Sequence, residues 1–193
     1  MPILVFYDSD FPYAGARPTA DALNALAGRA ELADASNLEQ RLRERKWDAL
    51  VQLHGSYFPK SAWSAIRAHL SAGGGLVNAG GAPYREPVSE DAAESGRRIE
   101  RPQVAYHQNL NIHDALKVDS SSARFFKASD EFPLLRGKES LFGAAPTWGL
   151  TLHPSKKSDI PEELGSSGPM DLFIYPLLTG VDADGRERSA PVV

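Results

Sequence analysis

The chain has 193 residues and not one cysteine. That absence removes disulfides, thiolate metal ligands and a cysteine nucleophile together. An excess of charge of one sign is missing too: 21 Lys and Arg stand against 25 Asp and Glu, a formal net charge of -4. A nucleic-acid footprint needs Lys and Arg gathered on one face. Here the pairs Arg97-Arg98 and Lys156-Lys157 stand isolated and read as solvated surface, so no nucleic-acid partner is expected. Long hydrophobic runs are lacking as well. The apolar stretches fall far short of the ~20 residues of a membrane-spanning helix, and no membrane partner is expected. No basic segment followed by an apolar one opens the chain. No signal peptide is therefore expected, and a cytoplasmic setting is favoured while the compartment stays open.

Cofactor signatures are equally scarce. The loop after the first apolar run, DSDFPYAGARP, holds a single glycine, so a dinucleotide fingerprint is absent, as is a phosphate-binding Walker loop. None of the five histidines, His54, His69, His107, His113 and His153, has a partner at the i, i+4 spacing of a helical zinc motif. Asp182-x-Asp184-Gly185 resembles the start of a calcium loop but lacks the distal Glu, and reads as a turn. Neither metal nor cofactor is expected.

What is present is a hydrophobic fraction of 42%, ample for a core, arranged in an alternating pattern. PILVFYD, Pro2 to Asp8, is a continuous apolar run suited to a strand buried on both faces. Pro18 opens a helical stretch in which Ala22, Leu23, Leu26 and Ala27 recur at helical spacing, with Gly28 as its stop. A short strand follows near Ala30 to Ala33, and Ser36-x-x-Glu39 reads as a capping box for a second helix. WDALVQLHG, Trp47 to Gly55, predicts the third strand, and SYFP a loop. Trp63, Ile66 and Leu70 stripe a third helix, which Gly73-Gly74-Gly75 ends, and Leu76 to Asn78 form a fourth strand. Strands alternating with helices over short links, joined by right-handed crossovers, predict an α/β fold: a doubly wound, mostly parallel sheet with helices on both faces. Residues 85–102 read as a polar excursion. DLFIYPLL, Asp171 to Leu178, is a strand candidate, and SAPVV starts another. The whole of 1–193 is read as one domain and as a piece of a longer multidomain chain.

In such a sheet, ligands bind outside the carboxyl ends of the strands, where the winding reverses. Chain order brings Asp8 and Asp10, then His54, Ser56 and Tyr57, then Asn78, Gly80 and Gly81 to that edge, with Tyr175 as a late addition. A serine activated by a histidine would use Ser56 and His54. The plainer alternative has His54 packing or hydrogen-bonding at the edge and Ser56 capping a turn, and it is favoured because close neighbours in sequence seldom meet in triad geometry. Asp8 and Asp10 could act as a carboxylate pair, but their single loop favours capping.

LVFYD, WDALVQLHGSYFP and HLSAGGGLVNAGGAPY, with their strand, helix end and glycine turn, resemble the class I glutamine amidotransferase-like superfamily over roughly the first 85 residues. The resemblance implies a flavodoxin-like three-layer α/β/α fold. In that family a cysteine sits at the elbow after this strand, with a histidine-glutamate pair later. Here the position falls on Ala79 or Gly80, and His153 is followed by Pro154 and Ser155. No glutaminase activity is therefore expected. The degenerate pattern is similar to domains attached to bacterial glycoside hydrolases, such as β-galactosidase trimerisation domains. That likeness implies a non-catalytic role in assembly or interaction, with other domains of the same chain or further copies as partners. Any glycoside hydrolase activity would then come from another part of the protein. Two alternatives remain at the sheet edge: a hydrolase, and a small-molecule module with a carbohydrate as its ligand.

Overall fold

The computed structural model describes residues 1–14, 17–79, 83–91, 96–101, 106, 112–118, 125–130, 133–139, 149–154, 178–181 and 183–188. The chain divides into two compact units, 1–107 and 108–193. The alternating pattern that suggested one domain lies within the first.

In chain order the first unit comprises β1 (Ile3–Phe6), α1 (Ala20–Ala27), β2 (Glu31–Ala33), α2 (Leu38–Glu44), β3 (Ala49–Gln52), β4 (Tyr57–Pro59), α3 (Trp63–Ser71), β5 (Gly75–Asn78), β6 (Glu86–Asp91) and β7 (Gly96–Ile99). Four strands make a sheet ordered β2-β1-β3-β5, with every neighbouring pair parallel. The chain starts in the middle, moves outward to β2, and returns past β1 to β3. The winding therefore reverses between β1 and β3, which makes the sheet doubly wound. Right-handed crossovers put α1 on one face and α2 with α3 on the other, and α2 and α3 pack against each other.

Register and the two-residue period of a strand sort the side chains by face. Leu4, Leu50 and Leu76 lie in register, followed two residues on by Phe6, Gln52 and Asn78. Leu4, Phe6, Leu50 and Gln52 are all fully buried. The opposite face carries Val5, Val51, Val77 and Leu32 in register. There the cover thins toward the outer strands, with Leu32 38% and Val77 54% exposed. The helices match this difference: α2 buries Leu38 and Leu42, α3 buries Ala65, Ile66 and His69, and α1 buries none of its residues.

The ends of the elements have local causes. Thr19, not Pro18, caps α1, its hydroxyl accepting from the Ala22 N–H at 3.2 Å. The expected Ser36 box does not form. Asp34 carries the turn instead, its Oδ1 accepting from the backbone N–H groups of Ser36 and Asn37, while Asn37 stands at the N-cap. A carboxylate two or three residues upstream reaches both donors, so the hydroxyl is not needed. At the end of α3 the Gly74 N–H reaches the His69 carbonyl and the Gly73 N–H that of Leu70, each at 3.0 Å. This is the paired bonding of a left-handed helix stop, and Gly73 has φ +83°.

Two expectations are corrected. SYFP is not a plain loop: Tyr57–Pro59 forms β4, which pairs in parallel with β6. The polar excursion at 85–102 contains an antiparallel pair, β6 with β7. Polar residues hid β6 and β7, in which Pro87 and Val88 are buried. Lys60 holds the pair down through Glu100 at 2.8 Å. Below it Phe58, Trp63, Tyr84 and Tyr106 stack edge to face.

In the second unit β8 (Ile112–Val118) pairs antiparallel with β10 (Gly149–Pro154). A separate antiparallel sheet has the order β12-β11-β9, from β9 (Phe125–Ala128), β11 (Leu178–Val181) and β12 (Glu187–Arg188). A turn through Gly185, with φ +75°, joins the last two strands. Of the DLFIYPLL strand expectation only Leu178 is described, as the first residue of β11. Residues 171–177, Tyr175 among them, and the SAPVV segment lie outside the described residues.

Candidate functional site

The carboxyl ends of β1 and β3 flank the reversal of the winding, and a polar cluster sits there. His54, fully buried two residues past β3, is packed among four rings. The centroids of Tyr13, Phe6, Phe11 and Tyr7 lie 4.2, 4.7, 5.2 and 5.9 Å from its own. Its Nε2 lies 3.0 Å from the backbone N of Asp8 and its Nδ1 2.9 Å from the carbonyl of Pro12. The partners fix the tautomer. A backbone N–H can only donate, so Nε2 accepts; a carbonyl can only accept, so Nδ1 carries the hydrogen. Burial pushes the imidazole below its ordinary value, against the pull of the Pro12 carbonyl and the Asp8 charge. The ring is neutral, and both its nitrogens are in use.

Asp8 ends the β1 segment and is 9% exposed. Its Oδ1 accepts from the Asp10 N–H at 3.0 Å, and its Oδ2 from the Ala35 N–H at 3.2 Å. Arg97 of β7 closes the set with a two-pronged contact, Nη1 to Oδ1 at 3.2 Å and Nη2 to Oδ2 at 2.7 Å. The guanidinium also lies over the Phe11 ring, 5.2 Å from its centroid. Burial alone would raise the carboxyl. Arg97 and the two backbone donors outweigh it and hold Asp8 below its ordinary value. The group is an ionised carboxylate with its oxygens occupied.

The other expected residues take separate places. Asp10 is exposed, with the Ser9 hydroxyl 3.4 Å from its Oδ1, so it and Asp8 do not make a carboxylate pair. Ser56 is buried, and its carbonyl accepts the Glu86 N–H that begins β6. His54 has no free nitrogen with which to take a proton from it. Tyr57 lies on β4 opposite Glu86; burial, then the nearby Glu86, raises its phenol. Asn78 ends β5 opposite Gln52. Ala79 follows it, exposed, its N–H bonded to the Gln52 carbonyl at 2.9 Å. Gly80 and Gly81 lie outside the described residues. The turn after them holds Tyr84, fully buried at φ 55°, a backbone conformation uncommon for a residue with a side chain.

Comparison with protein-family models, curated proteins and solved structures returns no match. The chemistry is therefore read from the geometry alone. Sequence order brought Asp8 and His54 to one edge, and there they touch. It missed Arg97, 89 residues from Asp8 and read as solvated surface; the Arg97 side chain is 29% exposed. An arginine in a charged run gives no sign of which carboxylate it will meet. Tyr13 and Phe11 were also missed, although FPY directly after Asp10 is an aromatic cluster beside a strand end.

Proposed function

We propose that the chain is a non-catalytic, amidotransferase-like α/β domain serving assembly or interaction within a larger carbohydrate-active protein. The observation that supports this most is the state of the sheet edge. The imidazole and carboxylate that could have formed a catalytic set are both spent on internal bonds, and by the resemblance the nucleophile position falls on Ala79 or Gly80, neither of which carries a reactive side chain. General acid-base work needs a group free to exchange a proton with substrate. His54 could exchange one only by releasing Pro12 or Asp8, and Asp8 only by releasing Arg97. A carbohydrate at this edge would likewise have to displace the Arg97 guanidinium from Asp8 and Phe11.

The test is turnover and association on one preparation. The purified chain is incubated with glutamine and with p-nitrophenyl glycosides, and sedimentation velocity follows its mass with concentration. The reading expects no ammonia and no p-nitrophenol above a protein-free control, with a sedimentation coefficient that rises with concentration. Turnover that disappears in Ser56→Ala would replace it with the hydrolase reading.

A further inference from the structure

The sheet has a second edge, at the amino ends of its strands, and a cleft of about 450 Å³ opens there between α2 and α3. Its apolar wall is Leu42, Trp47 and Ala65, all buried. Ala68 and Ala72, exposed along α3, keep the other side low. The rim is basic. Arg43, Arg45 and Lys46 line it, and no carboxylate does.

The state of these cations matters. Arg43 reaches Glu39 and the Ser64 hydroxyl, and Arg45 holds Glu31, all in exposed contacts that solvent screens. Lys46 has no ion-pair partner among the described residues and is exposed. The Arg45 guanidinium lies over the Trp47 ring, 4.0 Å from its centroid, and caps it with a charge. The Trp47 indole N–H is already committed to the Arg41 carbonyl at 2.8 Å. His69 is turned inward: its ring lies where a Cβ on Gly74 would fall, with Nε2 on the Gly75 carbonyl at 3.1 Å. The wall is thus fixed and apolar, while the charges stand at the mouth. Small-molecule sites are concave and mostly apolar, with a few placed polar groups, and run to roughly 300–1,000 Å³.

We propose that the α2–α3 cleft binds a small organic anion with an apolar body, the body against the exposed Ala68 and Ala72 methyl groups and the Arg45 guanidinium that covers Trp47, and the anionic group at Lys46 and Arg43. The site lies at the opposite end of the strands from Asp8 and His54, and it stands or falls independently of the non-catalytic reading.

The probe is 1-naphthoate, with neutral 1-naphthamide as its uncharged counterpart, titrated into the ¹⁵N-labelled full chain and followed by amide chemical shifts. Naphthoate is expected to shift amides of residues 42–47 and 65–74 and to bind about tenfold or more tightly than the amide, as a charge-assisted contact requires. Lys46→Glu should weaken naphthoate by about tenfold while leaving naphthamide unchanged. Ala68→Phe, at an exposed helix position, should abolish the shifts with the rest of the spectrum preserved. The proposal is overturned by equal binding of the two probes, by shifts confined to other residues, or by affinity unchanged in both variants. Absence of any shift at about 5 mM naphthoate overturns it as well.

Discussion

Cutting Arg97 back to alanine leaves the Asp8 carboxylate with two backbone donors and an opened shell, in a position otherwise sealed from water. A charged, part-buried hydrogen bond of this kind contributes about 1–3 kcal/mol, so Arg97→Ala should lower the urea unfolding free energy by that order. An unchanged midpoint would mean that water replaces the guanidinium at no loss. The same residues set a pH dependence. The imidazole of His54 sits below its ordinary value of 6.5, so on acidification the unfolded chain binds a proton before the folded one, and stability falls as pH drops below that value. Asp8, held below 3.8, adds a second loss at lower pH by the same sign. Urea midpoints measured against pH should therefore show two descents, with His54→Gln flattening the upper and Asp8→Asn the lower. At this scale the sequence was only half legible. Strand order alone put Asp8 and His54 together, because both end central parallel strands. What they do there depends on Pro12, Tyr13 and Arg97, whose approach is set by loop and hairpin paths that carry no periodic signal.

The glycine triplet 73–75 carries the argument at the level of elements. Its neighbours read alike in sequence, yet each residue answers a different constraint. Gly73 takes the left-handed conformation that ends α3, and an L side chain there costs about 1 kcal/mol. Gly74 has no strained φ, but its missing Cβ is the space the His69 ring fills. Gly74→Ala must push that ring off the Gly75 carbonyl, an overpacking cost of about 1–3 kcal/mol. Thermal unfolding should thus rank Gly74→Ala at or below Gly73→Ala in stability; a neutral Gly74→Ala would show that His69 has room to swing. The helices and central strands were legible because burial on one side repeats at 3.6 or 2 residues. β6 and β7 were not, since polar residues dominate them, and β4 was not, since its three residues, with Phe58 buried, are too few to show a period. The Ser36 box failed for a local reason: Asp34, just before it, takes both the Ser36 N–H that Glu39 would have capped and the Ser36 hydroxyl.

Across the whole molecule, the parallel sheet, its helices and the β6–β7 pair all lie before residue 108. The Asp8–Arg97 contact, the Lys60–Glu100 pair and the Phe58–Trp63–Tyr84–Tyr106 cluster all lie within 1–107. A fragment ending at His107 therefore keeps each of these contacts. A length of about 100 residues is also enough for an independent core. The fragment 1–107 is expected to unfold in one cooperative urea transition and to show dispersed amide signals, with the His54 imidazole still titrating below its ordinary value of 6.5 by NMR. The imidazole is the more demanding readout, because a collapsed but loosely packed fragment would keep its helices while His54 titrated near its ordinary value. Such a loose state would mean that residues 108–193 supply something the first unit needs. A normal transition with His54 neutral would place the whole of the Asp8–His54–Arg97 arrangement in the first unit's own folding.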